Sequence, residues 1–150
     1  MRSQATNVSA GRGALLLSPP MADLLILAHG GTWDMRFQVS ALAASTAAAG
    51  ERVDVALFFG ALDAWVRGRW DELDPAPPVT AERLESLAMP PLSEMLAAGR
   101  EEGLIRFYAC SASARMLGLD TAAVQAAVDA FLGWQSFSRM IRDAGQVVTL

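Results

Sequence analysis

Two short apolar runs, at residues 23–28 (Asp-Leu-Leu-Ile-Leu-Ala) and 52–59 (Arg-Val-Asp-Val-Ala-Leu-Phe-Phe), bracket a helical pattern. No other feature of the chain constrains its fold as much. Runs of this length suit buried strands. Between them Met35, Val39, Leu42 and Thr46 share one face of a 3.6-residue period, and Gly50 stands where a helix ends in the left-handed conformation. Thr32 or Asp34 is placed to cap the start of that helix. Strand, helix and strand at this spacing form a βαβ unit, whose crossover is almost always right-handed.

The alternation continues to the end of the chain. A short helix is expected over residues 61–68, then an irregular surface stretch at 70–78 that is rich in proline and acid. Helical pattern returns from Thr80, breaks at Pro90-Pro91, and resumes through Leu92, Met95 and Leu96 to Gly103. A third strand at residues 104–109 leads into Cys110. Ser111 is placed to cap a short helix that stops at Gly118, and Asp120 to cap the next. A short strand is expected within residues 129–133. A helix carrying Phe137, Met140, Ile141 and Ala144 and a strand at 146–150 follow. Strands alternating with helices in this way specify an α/β chain, with a mainly parallel sheet of about five strands and helices on both faces.

Composition narrows the function. With 150 residues, 53% of them hydrophobic, the chain has the size of one domain with its own core, and global disorder is excluded. One cysteine rules out an internal disulfide framework, and one cysteine with one histidine makes a zinc site improbable. All 12 basic residues are arginine, so Schiff-base and P-loop lysine chemistry are both excluded. The net charge of −4 lacks the footprint of a nucleic-acid binder. The arginines, Arg36, Arg52, Arg67, Arg69, Arg83, Arg100 and Arg115 among them, are scattered and are read as solvated. No apolar run approaches the roughly 20 residues of a membrane span, and Ala14 to Leu17 is too short for a signal peptide core. Residues 1–20 are read as a flexible extension, residues 21–150 as one domain, and the protein as cytoplasmic.

In open α/β sheets, ligands bind beyond the carboxyl ends of the strands. Three loops qualify: residues 29–33, 60–65 and 110–113. Cys110 is the sharpest signal, because a thiol where a strand meets a helix faces free backbone N–H groups that favour the thiolate. A buried, inert cysteine is an equal alternative on position alone. His29 is the only histidine, and Gly30-Gly31 lacks the spacing of a dinucleotide loop. Ser111, His29 and Asp34 could form a triad on paper, but no G-x-S-x-G elbow is present. Trp33, Trp65 and Trp70 suit core packing, a cleft or a subunit contact. Asp71, Glu72 and Asp74 are read as a solvated loop without a metal.

The segment Phe107-Tyr-Ala-Cys110-Ser-Ala-Ser-Ala-Arg-Met-Leu-Gly118-Leu resembles the cysteine segment of the DsrE/DsrF-like (TusD-related) sulfur-relay family. The apolar first strand, the alanine-rich helix ending at Gly50, Val53-Asp-Val-Ala-Leu-Phe-Phe-Gly-Ala61, Ser136-Phe137 and Val147-Val-Thr-Leu150 are similar in order. The likeness runs from Met21 to Leu150. The long insertion at residues 70–91 and the His29-Gly30-Gly31 loop depart from the relay subunits. The resemblance implies a flavodoxin-like three-layer subunit in a homotrimer or homohexamer. It also implies a persulfide on Cys110, passed between a sulfur donor and the thiol of a partner protein, with no cofactor. His29, Gly30, Gly31, Gly60, Ser111 and Ser113 are the expected pocket. The alternative is a small-ligand-binding or regulatory α/β module in which Cys110 is structural.

Overall fold

The computed structural model describes residues 21–150, so the expected extension at 1–20 lies outside the described residues. Five strands and seven helices alternate. They are β1 (Leu24–Ala28), α1 (Trp33–Ala48), β2 (Val53–Leu57), α2 (Phe59–Val66), α3 (Ala81–Ser86) and α4 (Leu92–Glu101). After them come β3 (Ile105–Cys110), α5 (Ser111–Met116), α6 (Thr121–Ala127), β4 (Ala130–Leu132), α7 (Trp134–Asp143) and β5 (Gln146–Thr149). The sheet is entirely parallel, in the order β4-β3-β2-β1-β5. This is the three-layer α/β, flavodoxin-like arrangement, although flavodoxin itself orders its strands 2-1-3-4-5.

Strand order sets the layers. From β1 to β4 each connection steps the same way across the sheet, so right-handed crossovers leave α1 to α6 on one face. The connection from β4 to β5 runs back the other way and places α7 alone on the opposite face. The core divides accordingly. Leu24, Ile26, Val53, Val55, Leu57, Ile105 and Phe107 pack against the six-helix layer, while Leu25, Ala56, Phe58 and Cys110 meet Phe137 of α7. The two-residue alternation of a strand makes this division. It also puts Asp54, Arg106 and Tyr108 on the thinly covered face.

Several expectations are corrected in α1. Its buried face is Trp33, Arg36, Val39, Ser40, Ala43 and Ala47, so Met35, Leu42 and Thr46 lie at the margin. The small residues let α4 approach closely: a Cβ added to Gly99 would stand 3.0 Å from the Cβ of Ala47. Thr32 is the N-cap residue but its side chain makes no cap. Asp74, 41 residues away, accepts from the Trp33 N–H at 2.7 Å instead. Gly50 ends the helix with φ +81°, as expected.

Arg36 is not solvated. It is 3% exposed, and its guanidinium donates to the carbonyls of Arg69, Trp70 (2.6 Å) and Glu72 (2.7 Å) and pairs with Asp74 at 3.4 Å. Burial holds it below the ordinary arginine pKa, opposed by Asp74. Asp74 is thus a half-buried partner rather than a solvated acid, and Asp71 accepts from the Ser93 N–H at 2.8 Å in the first turn of α4. Arg100 is half-buried, over the ring of Phe107 at 4.8 Å. Trp70 is 3% exposed, with Nε1 donating to Ser40 Oγ at 2.9 Å, and Trp33 is 7% exposed. Core packing claims both, and Trp70 has no surface to offer a second subunit.

Candidate functional site

Cys110 is the last residue of β3 and the N-cap of α5. The cap expected from Ser111 is made by the thiol itself, with Sγ accepting the Ser113 N–H at 3.5 Å. Sulfur is a weak hydrogen-bond acceptor. The thiol is 0% exposed and packs in the cluster of Leu25, Ala56, Phe58 and Phe137. Ser113 is 1% exposed and Ser111 half-buried.

His29 joins this cluster through an aromatic stack. Its ring lies on Phe58 with centroids 4.6 Å apart, and Trp134 lies on Phe58 at 5.2 Å. His29 and Trp134 are both exposed, so the stack leads from solvent to the buried ring of Phe58. Immediately after it, Phe59 has φ +35° and is 43% exposed, an unusual conformation for a residue with a side chain. Phe58, Phe59, Trp134 and Phe137 are not among the expected site residues, although Phe58, Phe59 and Phe137 lie in segments that carry the resemblance.

The expected pocket glycines sit in a different hollow. A Cβ on Gly60 would stand 2.7 Å from the Gly31 nitrogen, so the first two loops touch backbone to backbone and both positions require glycine. Together with Arg36, Asp63, Arg69, Glu72 and Asp74 they line a hollow of about 360 Å³. Gly30 packs against Met35. The six expected pocket residues are therefore divided. Ser111 and Ser113 lie with Cys110, His29 reaches that cluster through Phe58, and Gly31 and Gly60 shape the hollow bounded by the insertion.

A third space lies under α7, on the face of the sheet rather than at the strand ends. It holds about 340 Å³ and is lined by Met21, Ala22, Leu25, Leu132, Met140 and Ala144, with Asp54, Arg106, Tyr108, Ser136, Arg139 and Asp143 as its polar groups. Register places Asp54 opposite Arg106, yet the Asp54 Oδ1 to Arg106 Nε distance is 3.6 Å. Burial pushes the Asp54 carboxyl above the usual carboxylate range, and Arg106 only partly offsets this. The Tyr108 phenol beside it is pushed up to about 12, by burial first and by Asp54 second. Asp54 carried a signal that sequence reading passed over: a carboxylate within Val53-Asp54-Val55, inside a central strand, needs a reason.

Among the described residues no group of three or more His, Cys, Asp or Glu side chains is placed to hold a metal, and no helix is long and apolar enough to cross a membrane. No protein-family model matches the chain, and no curated protein matches it.

Proposed function

We propose that this chain is a cytoplasmic DsrE-like sulfur carrier that holds sulfane sulfur as a persulfide on Cys110. The observation that carries this reading is the position of the thiol, at the carboxyl end of a central strand with its sulfur accepting the Ser113 N–H. The Cys110 thiolate attacks the outer sulfur of a donor persulfide, R–S–S–H. The donor S–S bond breaks, R–S⁻ leaves, and Cys110 S–S–H forms. An acceptor thiolate then attacks the outer sulfur and releases the Cys110 thiolate, so one sulfur atom moves with no net oxidation. The chain has no second cysteine, and both steps are therefore intermolecular. Because Cys110 is 0% exposed, exchange proceeds through a form in which its cover is displaced.

A homotrimer or homohexamer belongs to the same proposal. It is supported by the exposure of Phe59, Trp134, Ile141 and Val147, apolar side chains of the kind that interfaces cover. In light scattering, a stable species near the 15.9 kDa chain mass would refute obligate assembly. The carrier itself is tested by mass spectrometry after incubation with a sulfane donor. A gain of one sulfur on the wild type and none on Cys110→Ala is expected, and no adduct with any of several donors would end the proposal.

The complete burial of Cys110 favours a second reading, a ligand-binding α/β module with a structural thiol. Thiol titration separates the two. A native thiol that reacts faster than free cysteine supports the carrier, while one silent until denaturation supports the module.

A further inference from the structure

Asp54 is a charged residue that its own strand does not explain. It is 8% exposed, and its Oδ1 is buried with no hydrogen-bond partner among the described residues. The nearest cation, Arg106 Nε, stays at 3.6 Å, beyond hydrogen-bond distance. A buried carboxyl oxygen without a donor is costly, and such groups call for a specific explanation. The Asp54 side chain lines the space under α7, whose volume of about 340 Å³ lies within the range of small-molecule sites.

The walls state what would fit. Leu132, Met140 and Ala144 give an apolar bed for a body the size of a ring. Arg139 is exposed and forms no ion pair among the described residues, its one side-chain bond there being a 3.5 Å contact to Ser136 Oγ. The Asp54 carboxyl can only accept when ionised, so a neutral or cationic N–H head is its complement. We propose that the space under α7 is a binding site for a small apolar molecule bearing an N–H donor head, seated with the head on the Asp54 carboxyl and the body between Leu132, Met140 and Ala144. The raised pKa values of Asp54 and Tyr108 accord with groups that face an apolar hollow. The site is separate from the thiol chemistry of Cys110 and stands whether or not that proposal holds.

The test uses the full chain and three probes of one shape: benzylamine with a charged donor head, benzamide with a neutral one, and benzoate with none. Binding is followed by amide chemical shifts in NMR titrations. Benzylamine or benzamide is expected to bind in the millimolar range and to shift the amides of Asp54, Tyr108 and Met140, with benzoate at least tenfold weaker. The better donor identifies the head. Asp54→Leu is expected to weaken that probe at least tenfold, and Met140→Trp, which fills the space and leaves Asp54 in place, to do the same. Benzoate binding as tightly as the donors would overturn the proposal. So would affinities within threefold of wild type in Met140→Trp, or no localised shift from either donor at about 10 mM, a concentration that detects even weak association.

Discussion

Arg36→Ala tests whether one guanidinium organises the insertion. In the native fold this side chain donates to four carbonyls, of Thr32, Arg69, Trp70 and Glu72, and pairs with Asp74. A hydrogen bond to a charged group nets about 1.5–3 kcal/mol, but only the Trp70 bond is wholly buried. That bond counts in full, and the others count for a fraction because water reaches the half-buried carbonyls once the side chain is gone. The expected loss is about 3–5 kcal/mol, the range for removing one partner of a buried charged set. With a urea m-value of about 2 kcal/mol/M for a small domain, the unfolding midpoint falls by about 1.5–2.5 M. Arg36→Lys keeps the charge but not the fork, and falls between the wild type and alanine. Hydrogen exchange localises the effect, with the Trp33 amide losing protection as the Asp74 cap loosens. A midpoint change below about 0.5 M, equivalent to roughly 1 kcal/mol, would show that the insertion is held by Trp70 packing rather than by Arg36.

Three further outcomes follow from the α7 face. The chain has one tyrosine, so an absorbance titration reads Tyr108 alone; its midpoint is expected near 12 in the native state and about 10 in denaturant, and a native midpoint of 10 would place the phenol in water. Asp54 keeps its proton to higher pH folded than unfolded, so it destabilises the fold as pH rises through and above the ordinary carboxylate range. Asp54→Asn should therefore melt higher than wild type at pH 7 and equally at a pH below about 3.9, and a lower melting temperature at pH 7 would reverse the sign of the argument. Phe137→Ala removes the buried anchor of α7, costs about 3–5 kcal/mol if the site does not collapse, and should raise the Cys110 alkylation rate more than tenfold. An unchanged rate would mean that α7 does not cover the thiol.

Elements set by local chemistry were legible in the sequence. Apolar runs gave β1, β2 and β3, Pro90-Pro91 separated α3 from α4, and Gly50 ended α1. Properties set by distant partners were not. The buried face of α1 is turned away from Met35, Leu42 and Thr46 because Arg36 has carbonyls to meet and because α4 approaches over Ala47. The cap of α1 comes from Asp74, which no window around Thr32 contains. Strand-end reasoning named Cys110, Gly31 and Gly60, but not that the two glycines touch. It passed over the space under α7, which depends on strand order: only one crossover runs back across the sheet. Period-two reading of β2 and β3 together would have put Asp54, Arg106 and Tyr108 on one face and raised the question.

The single helix on that face has an energetic consequence. α7 has one buried residue, so a local opening that lifts it leaves the six-helix layer intact and costs less than global unfolding. Phe137 shares a buried cluster with Cys110, while Ser136, Arg139, Met140 and Asp143 of the same helix wall the neighbouring space. The two places thus share one opening equilibrium although they share no chemistry. Whatever fills the space holds α7 down and lowers the fraction of time in which the sulfur meets solvent. Thiol reactivity and ligand occupancy would then be thermodynamically linked, reporting on each other without any change in the thiol itself.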